Sequence, residues 1–270
     1  MSCLAETATA RGWLFRGIVA ALFGLLVLPL AIVVATAFDA SSAVVFPPTE
    51  LSLRWFGELL ASRTWLRSLA NSLLVATGTS ALSMLVGTAA ALGLRGYTGR
   101  FRSGLVGLAL LPLLVPGVVI AVTLLTFFSA FGLQQSYFAL VLAHSLWATP
   151  LTFSVMQSTF ARFDWQLHEA AMDLGASRLT AFRTVVVPEV REGLVVAALV
   201  AFIVSLQEFV MALFLSGPDT RTVPVQAWNS LRQSLDPLVS VVSTILLAAV
   251  LLLVLLGGAL AGLDRLATDT

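Results

Sequence analysis

Few side chains in this sequence can do chemistry, and those that can are scattered. There are two histidines and a single cysteine, Cys3, so no intrachain disulfide can form. No C-x-x-C, H-E-x-x-H, G-x-G-x-x-G or G-x-x-x-x-G-K-[ST] pattern occurs. One carboxylate stands out. Glu208 is the only acidic residue inside a long apolar run, where an ionised side chain is costly and usually faces a partner or a watery path. It can act as the counter-charge for a cationic substrate, or as a structural acid hydrogen-bonded within a helix bundle. Its neighbours Gln207 and Ser205 suit either purpose. His144, beside Ser145 and Trp147 in another apolar run, is expected to make a hydrogen bond between helices before it is expected to touch substrate.

The elements that must position these groups are membrane helices. Residues of the apolar and aromatic class make up 59% of the 270 residues and charged residues only 11%, well below the roughly 25% of a soluble domain. The net charge of +1 gives no reason to expect a nucleic-acid partner. Six apolar segments are predicted to span: roughly Gly17–Phe38, Leu69–Leu94, Gly104–Phe128, Tyr137–Met156, Leu194–Ser216 and Val239–Leu260. Each can cross a core of about 30 Å as a helix, and helices satisfy their own backbone in lipid. The reading is an all-α polytopic membrane protein. Its parts are a cytoplasmic N-terminus over 1–16, a first helix over 17–38, an external loop with a surface helix over 39–68, a five-helix core over 69–262 containing a cytoplasmic loop at 158–193, and a tail at 263–270.

Arginine placement gives the orientation. With the N-terminus inside, the inner segments hold Arg11, Arg16, Arg95, Arg100, Arg102, Arg162, Arg178, Arg183, Arg191 and Arg265, and the outer ones hold Arg54, Arg63, Arg67, Arg221 and Arg232. The bias favours both ends inside. The first apolar run also has a signal-peptide aspect at Val34–Ala37, but it is longer than the usual 7–15-residue apolar region and is read as a retained helix. Leu51–Ser68 is partly amphipathic and suited to the membrane surface. Ala130–Ser136 is a short connection and Gly217–Leu238 a longer external loop. Pro112 and Pro116 share one predicted helix, where a bend is expected; Pro29 and Pro150 are tolerated in theirs. Trp228, Tyr97 and Trp165 fit interfacial positions.

The most informative segment runs from Asp164 to Gly193 and reads DWQLHEAAMDLGASRLTAFRTVVVPEVREG. Asp164 can cap a short helix whose Leu167, Ala170, Ala171 and Leu174 share a side. Glu169 and Asp173 are a like-charge i,i+4 pair, easier to understand if a partner brings positive charge. Gly175 breaks the helix, Ser177 can cap a second one faced by Leu179, Phe182 and Val186, and Pro188 can redirect the chain into the membrane. These residues describe a helix-turn-helix finger between two spans. From the residues alone, it can pack on its own bundle or dock a partner.

This stretch resembles the EAA motif of permease subunits of binding-protein-dependent ATP-binding-cassette importers: EAA, three residues, G, nine residues, I-x-L-P. Glu169-Ala170-Ala171 matches EAA and Gly175 the glycine, while Val185, Val187 and Pro188 stand at the isoleucine, leucine and proline. The resemblance extends from about Asn71 to Gly258. Asn71–Arg100 and Ser205–Arg232 resemble the spermidine/putrescine branch, especially its second permease. The resemblance implies the type I importer permease (MetI-like) fold in a bacterial inner membrane, with both termini cytoplasmic. It implies coupling to a nucleotide-binding ATPase through Glu169, Ala170, Ala171, Asp173, Gly175 and Pro188, and a substrate path that includes Glu208, Gln207, Ser205 and His144. Expected partners are the ATPase subunits, a second related permease, an extracytoplasmic solute-binding protein and membrane lipid. No cofactor is expected in this chain; ATP and Mg2+ are expected on the ATPase. The expected substrate is a polyamine or related small cationic amine, with an opine, an aminophosphonate or ferric iron as alternatives in the same class. A secondary transporter would be expected to carry more intramembrane carboxylates or broken helices in repeated halves. A membrane enzyme would need clustered polar groups.

Overall fold

The computed structural model describes residues 2–42, 46–48, 50–233 and 236–260. Arg265 and the expected tail at 263–270 lie outside the described residues. Thirteen α-helices are present among them: α1 Ser2–Ala37, α2 Arg54–Ala61, α3 Arg63–Gly93, α4 Gly99–Leu110, α5 Gly117–Ala130, α6 Tyr137–Arg162, α7 Trp165–Asp173, α8 Arg178–Ala181, α9 Val187–Glu189, α10 Arg191–Gln207, α11 Val210–Leu215, α12 Val223–Gln233 and α13 Leu238–Leu260. The chain divides into two compact units, Met1–Ser62 with Ser230–Ala248, and Arg63–Asn229 with Ala249–Thr270.

In the first unit, α1 is a long apolar helix whose Thr36 hydroxyl donates to Val33 O and to Ser240 Oγ, 3.0 and 3.1 Å away. Within the segment 39–68, where a surface helix is expected, the chain forms α2. It buries Trp55 and Leu59 against the loop, with the Trp55 indole N–H donating to Ser41 O at 3.0 Å.

The second unit is built on α3, α6 and α10. Small and hydroxyl-bearing residues let these helices approach closely, which is how helices associate where lipid removes the usual hydrophobic drive. The Thr152 hydroxyl donates to Ser83 O at 2.9 Å, and Ser80 Oγ donates to Ala198 O at 2.9 Å. Gly87 sits so near α6 that a Cβ would lie 2.9 Å from Phe153 N and collide with Thr152. At the opposite end, Asn71 donates to the carbonyls of Asp219 and Arg221, 2.9 Å each, and accepts from Tyr137 OH at 2.7 Å.

Four expectations differ from the structure. Four helices are long and apolar enough to cross a membrane as continuous rods: Phe15–Ala37, Arg63–Gly96, Tyr137–Arg162 and Leu238–Ala259. Counting the bent pair Gly99–Leu114 and Gly117–Ala130 as one span makes five, where six had been expected. That pair turns by 90° between Pro112 and Pro116, the place where a bend was expected. The segment Leu194–Ser216 is interrupted instead of continuous, with α10 stopping at Gln207 and α11 starting at Val210. The second span begins at Arg63, earlier than Leu69, and the supposed loop Gly217–Leu238 contains α12, which buries Val223, Val225 and Gln226. Pro224 lies in the first turn of α12, where its missing N–H has no intrahelical partner to lose.

Candidate functional site

The finger is one site. Asp164 caps α7 by accepting from Gln166 N–H at 3.0 Å. Gly175 has φ +95°, a conformation that costs other residues, and it closes α7 in a Schellman turn. In that turn Gly175 N–H donates to Met172 O at 2.9 Å and Ala176 N–H to Ala171 O at 3.1 Å. Ser177 then caps α8 by accepting from Thr180 N–H at 3.2 Å. A π-helical turn, Phe182–Val186, leads through Pro188 to α10.

The two limbs have opposite characters. The second is anchored: Ala181, Val186 and Val190 are buried, the valines in a cluster with Phe153, Met156 and Phe160 of α6. Leu179 leaves that face and is exposed. The first limb turns its apolar side outward. Glu169, Ala170, Asp173 and Gly175 are exposed, and so are Leu167 and Leu174, the latter at 90%. Pro188 is exposed on the second limb. Leu167, Ala170 and Leu174 thus leave an exposed apolar strip on the first limb. Beside the finger, the ends of α6 and α10 enclose a cleft of about 570 Å³ lined by Ser158, Arg162, Glu189, Glu192 and Gly193.

The other site is the break between α10 and α11. Glu208 is buried, its backbone extended, and its two carboxylate oxygens accept from Met211 N–H at 2.8 Å and Ala212 N–H at 2.9 Å. His144 of α6 is also buried. Its Nδ1 is 2.8 Å from Ser205 Oγ, and its Nε2 is 3.3 Å from Glu208 Oε2, an electrostatic contact without the alignment of a hydrogen bond. Three of the four residues singled out for the substrate path thus come together. Gln207 does not join them; its side chain is exposed. The role of the carboxylate as a cap for α11 was missed from sequence, because Leu206–Val210 contains no glycine or proline to announce a break.

Among the described residues no group of acidic, histidine or cysteine side chains could hold a metal ion. The chain is thus a helical, multi-pass protein with a capped finger and a carboxylate-capped helix break. The family model for the binding-protein-dependent transport system inner membrane component matches residues 83–265, more than half the chain, and the protein belongs to that family. It is 31% identical over 236 residues to the putrescine transport system permease protein PotI of Escherichia coli K12, covering 84% of this chain and 83% of the relative. Its fold is similar to a chain of a bacterial alginate ABC transporter in complex with alginate pentasaccharide-bound periplasmic protein, with TM-score 0.69, 16% identity, and coverage of 93% and 94%. It is also similar to a chain of the MetNI methionine ABC transporter in an inward-facing conformation, with TM-score 0.60, 17% identity, and coverage of 76% and 96%. The protein is therefore an all-α polytopic permease component of an import system, a non-catalytic member of its family.

Proposed function

We propose that this chain forms half of the membrane pathway of an ATP-driven importer for a polyamine or related small cationic amine, powered by a separate ATPase that docks on the finger. The observation that carries the coupling role is the outward apolar face of α7 beside the Gly175 turn, with Leu174 at 90% exposure. Residues Glu169, Ala170, Ala171 and Asp173 form the docking helix, and Pro188 orients the return limb. A second, related permease completes the pathway, and an extracytoplasmic solute-binding protein delivers cargo. Cargo class is supported by the resemblance of Asn71–Arg100 and Ser205–Arg232 to the polyamine branch and by likeness to a putrescine permease. Glu208 is assigned as the negative charge of the path, with His144 and Ser205 packed against it and the exposed Gln207 next to it in the chain.

The chain crosses the membrane six times in this proposal. The bent α4–α5 pair is one crossing and the interrupted α10–α11 pair another, with both termini cytoplasmic in a bacterial inner membrane. The test is co-purification followed by uptake. The chain expressed with its neighbouring transport subunits is expected to retain an ATPase and to support uptake of radiolabelled putrescine in proteoliposomes. Retention of the ATPase with uptake of an opine, an aminophosphonate or ferric iron in place of amines would overturn the cargo assignment alone. Transport driven by an ion gradient without any ATPase would overturn the class.

A further inference from the structure

The finger is covalently joined to α6 and α10 but not to α3, the third helix of the core. Its second limb meets α3 in the apolar cluster of Ala91, Leu94, Val186 and Val190, and among the described residues one polar contact ties α3 to α7 itself. Trp165, the first residue of α7, is fixed from several sides. Its indole N–H donates to Phe160 O at 3.2 Å, and its ring packs edge-on against Phe163 with centroids 4.8 Å apart and at a tilt against Phe160 at 5.9 Å. Over the ring lies Arg95, its guanidinium carbon 3.4 Å from the ring centroid. Arg95 belongs to the 3-10 turn Leu94–Gly96 that ends α3, and the preceding Leu94 is buried in the same cluster as Phe160 and Phe163. Among the described residues Arg95 makes no ion pair, so the tryptophan face is the partner its charge has.

We propose that Arg95 is a positioning residue that yokes the end of α3 to the base of the finger, so that a displacement of α7 moves α3 along with α6 and α10. The proposal rests on the reading of the finger as the ATPase link. Without the yoke, a force on α7 would be absorbed by the Phe163–Asp164 connection, where the chain leaves α6 in an extended conformation. With it, the force enters the base of all three core helices at once. A planar guanidinium suits this task, since it stacks flat on an indole where an ammonium would sit as a point charge.

The test uses the whole transporter in lipid nanodiscs, with its own ATPase, second permease and binding protein, on a Cys3→Ser background. Spin labels are placed at Gly93→Cys, whose surroundings leave room for a side chain, and at the exposed Gln166→Cys. The expected result is one narrow distance that stays the same with and without ATP and vanadate. Arg95→Ala is expected to broaden that distance and to lower binding-protein-stimulated ATP hydrolysis about threefold or more, with basal hydrolysis and ATPase retention unchanged. Arg95→Lys keeps the cation and should recover part of both, and Trp165→Phe should be milder than Trp165→Leu. An unchanged distance in Arg95→Ala, or a broadened distance with undiminished stimulation, overturns the yoke. Gly175→Val separates this from the underlying reading. Normal stimulation in that variant defeats the finger as the ATPase link, whereas its loss together with a silent Arg95→Ala defeats the yoke alone.

Discussion

Glu208 holds the break in its helix together. Its carboxylate accepts from two backbone N–H groups of α11 and meets His144, which in turn bonds Ser205 in the last turn of α10. The cap that is seen and the proposed charge of the path are separated by substitution. Glu208→Leu leaves two buried N–H donors unpaired, at about 1–3 kcal/mol each, and is expected to reduce the amount of assembled permease recovered from membranes. Glu208→Gln keeps one acceptor oxygen while removing the charge. It is expected to assemble, and to lower uptake of a cationic amine at limiting concentration. Normal amine uptake by Glu208→Gln would leave the carboxylate as a helix cap only. The sequence pointed to this residue through its charge in an apolar run. It could not reveal the cap, because the break arises from the extended backbone of Glu208 itself and no conventional helix breaker stands near.

Among the elements, the finger was the most legible, since its caps and turn depend on local chemistry. Asp164, Gly175 and Ser177 each take the conformation that their residue types favour. Gly175→Val should therefore cost about 1–3 kcal/mol through the backbone alone, because nothing crowds a side chain at that position. The measurable outcome is loss of binding-protein-stimulated hydrolysis in membranes, with insertion unchanged. Leu174→Glu, placing charge at the tip of the exposed apolar face, should instead weaken ATPase retention during purification; full retention would show that the tip lies outside the contact. Less legible were the elements that depend on distant partners. Arg63 and Arg67 read as loop residues, yet α3 runs through both, and Arg67 pairs with Asp219 at 2.9 Å. The π-helical turn at Phe182–Val186 has no sequence signature here; it accommodates one residue more than an α-turn while keeping Val186 buried. Deleting Thr184 should let the turn close to α-geometry with Val186 still in its cluster, so the thermal stability of the purified complex should change little; a large loss would show that the extra residue is needed for packing.

For the molecule as a whole, the division of labour predicts that the highly purified single chain hydrolyses no ATP, and that hydrolysis appears only when the ATPase subunit is restored. Hydrolysis by the isolated chain would refute its place as a membrane component. Its orientation is checked by thiol labelling on a Cys3→Ser background. Ser136 and Ser177 both cap helices, so Gln134→Cys and Arg178→Cys are the less disruptive probes. In intact cells Gln134→Cys should react with an impermeant reagent and Arg178→Cys should not. The interruption at Gln207–Phe209 then acquires a meaning beyond its hydrogen bonds, because it decides a parity. If α10 and α11 together make one crossing, the number of crossings is even and a fluorescent protein fused after Thr270 matures in the cytoplasm. If they dip into the bilayer and return, the number is odd, and an alkaline phosphatase fused at the same place becomes active on the far side. Three residues in the middle of the chain thereby determine the compartment in which its last residue resides.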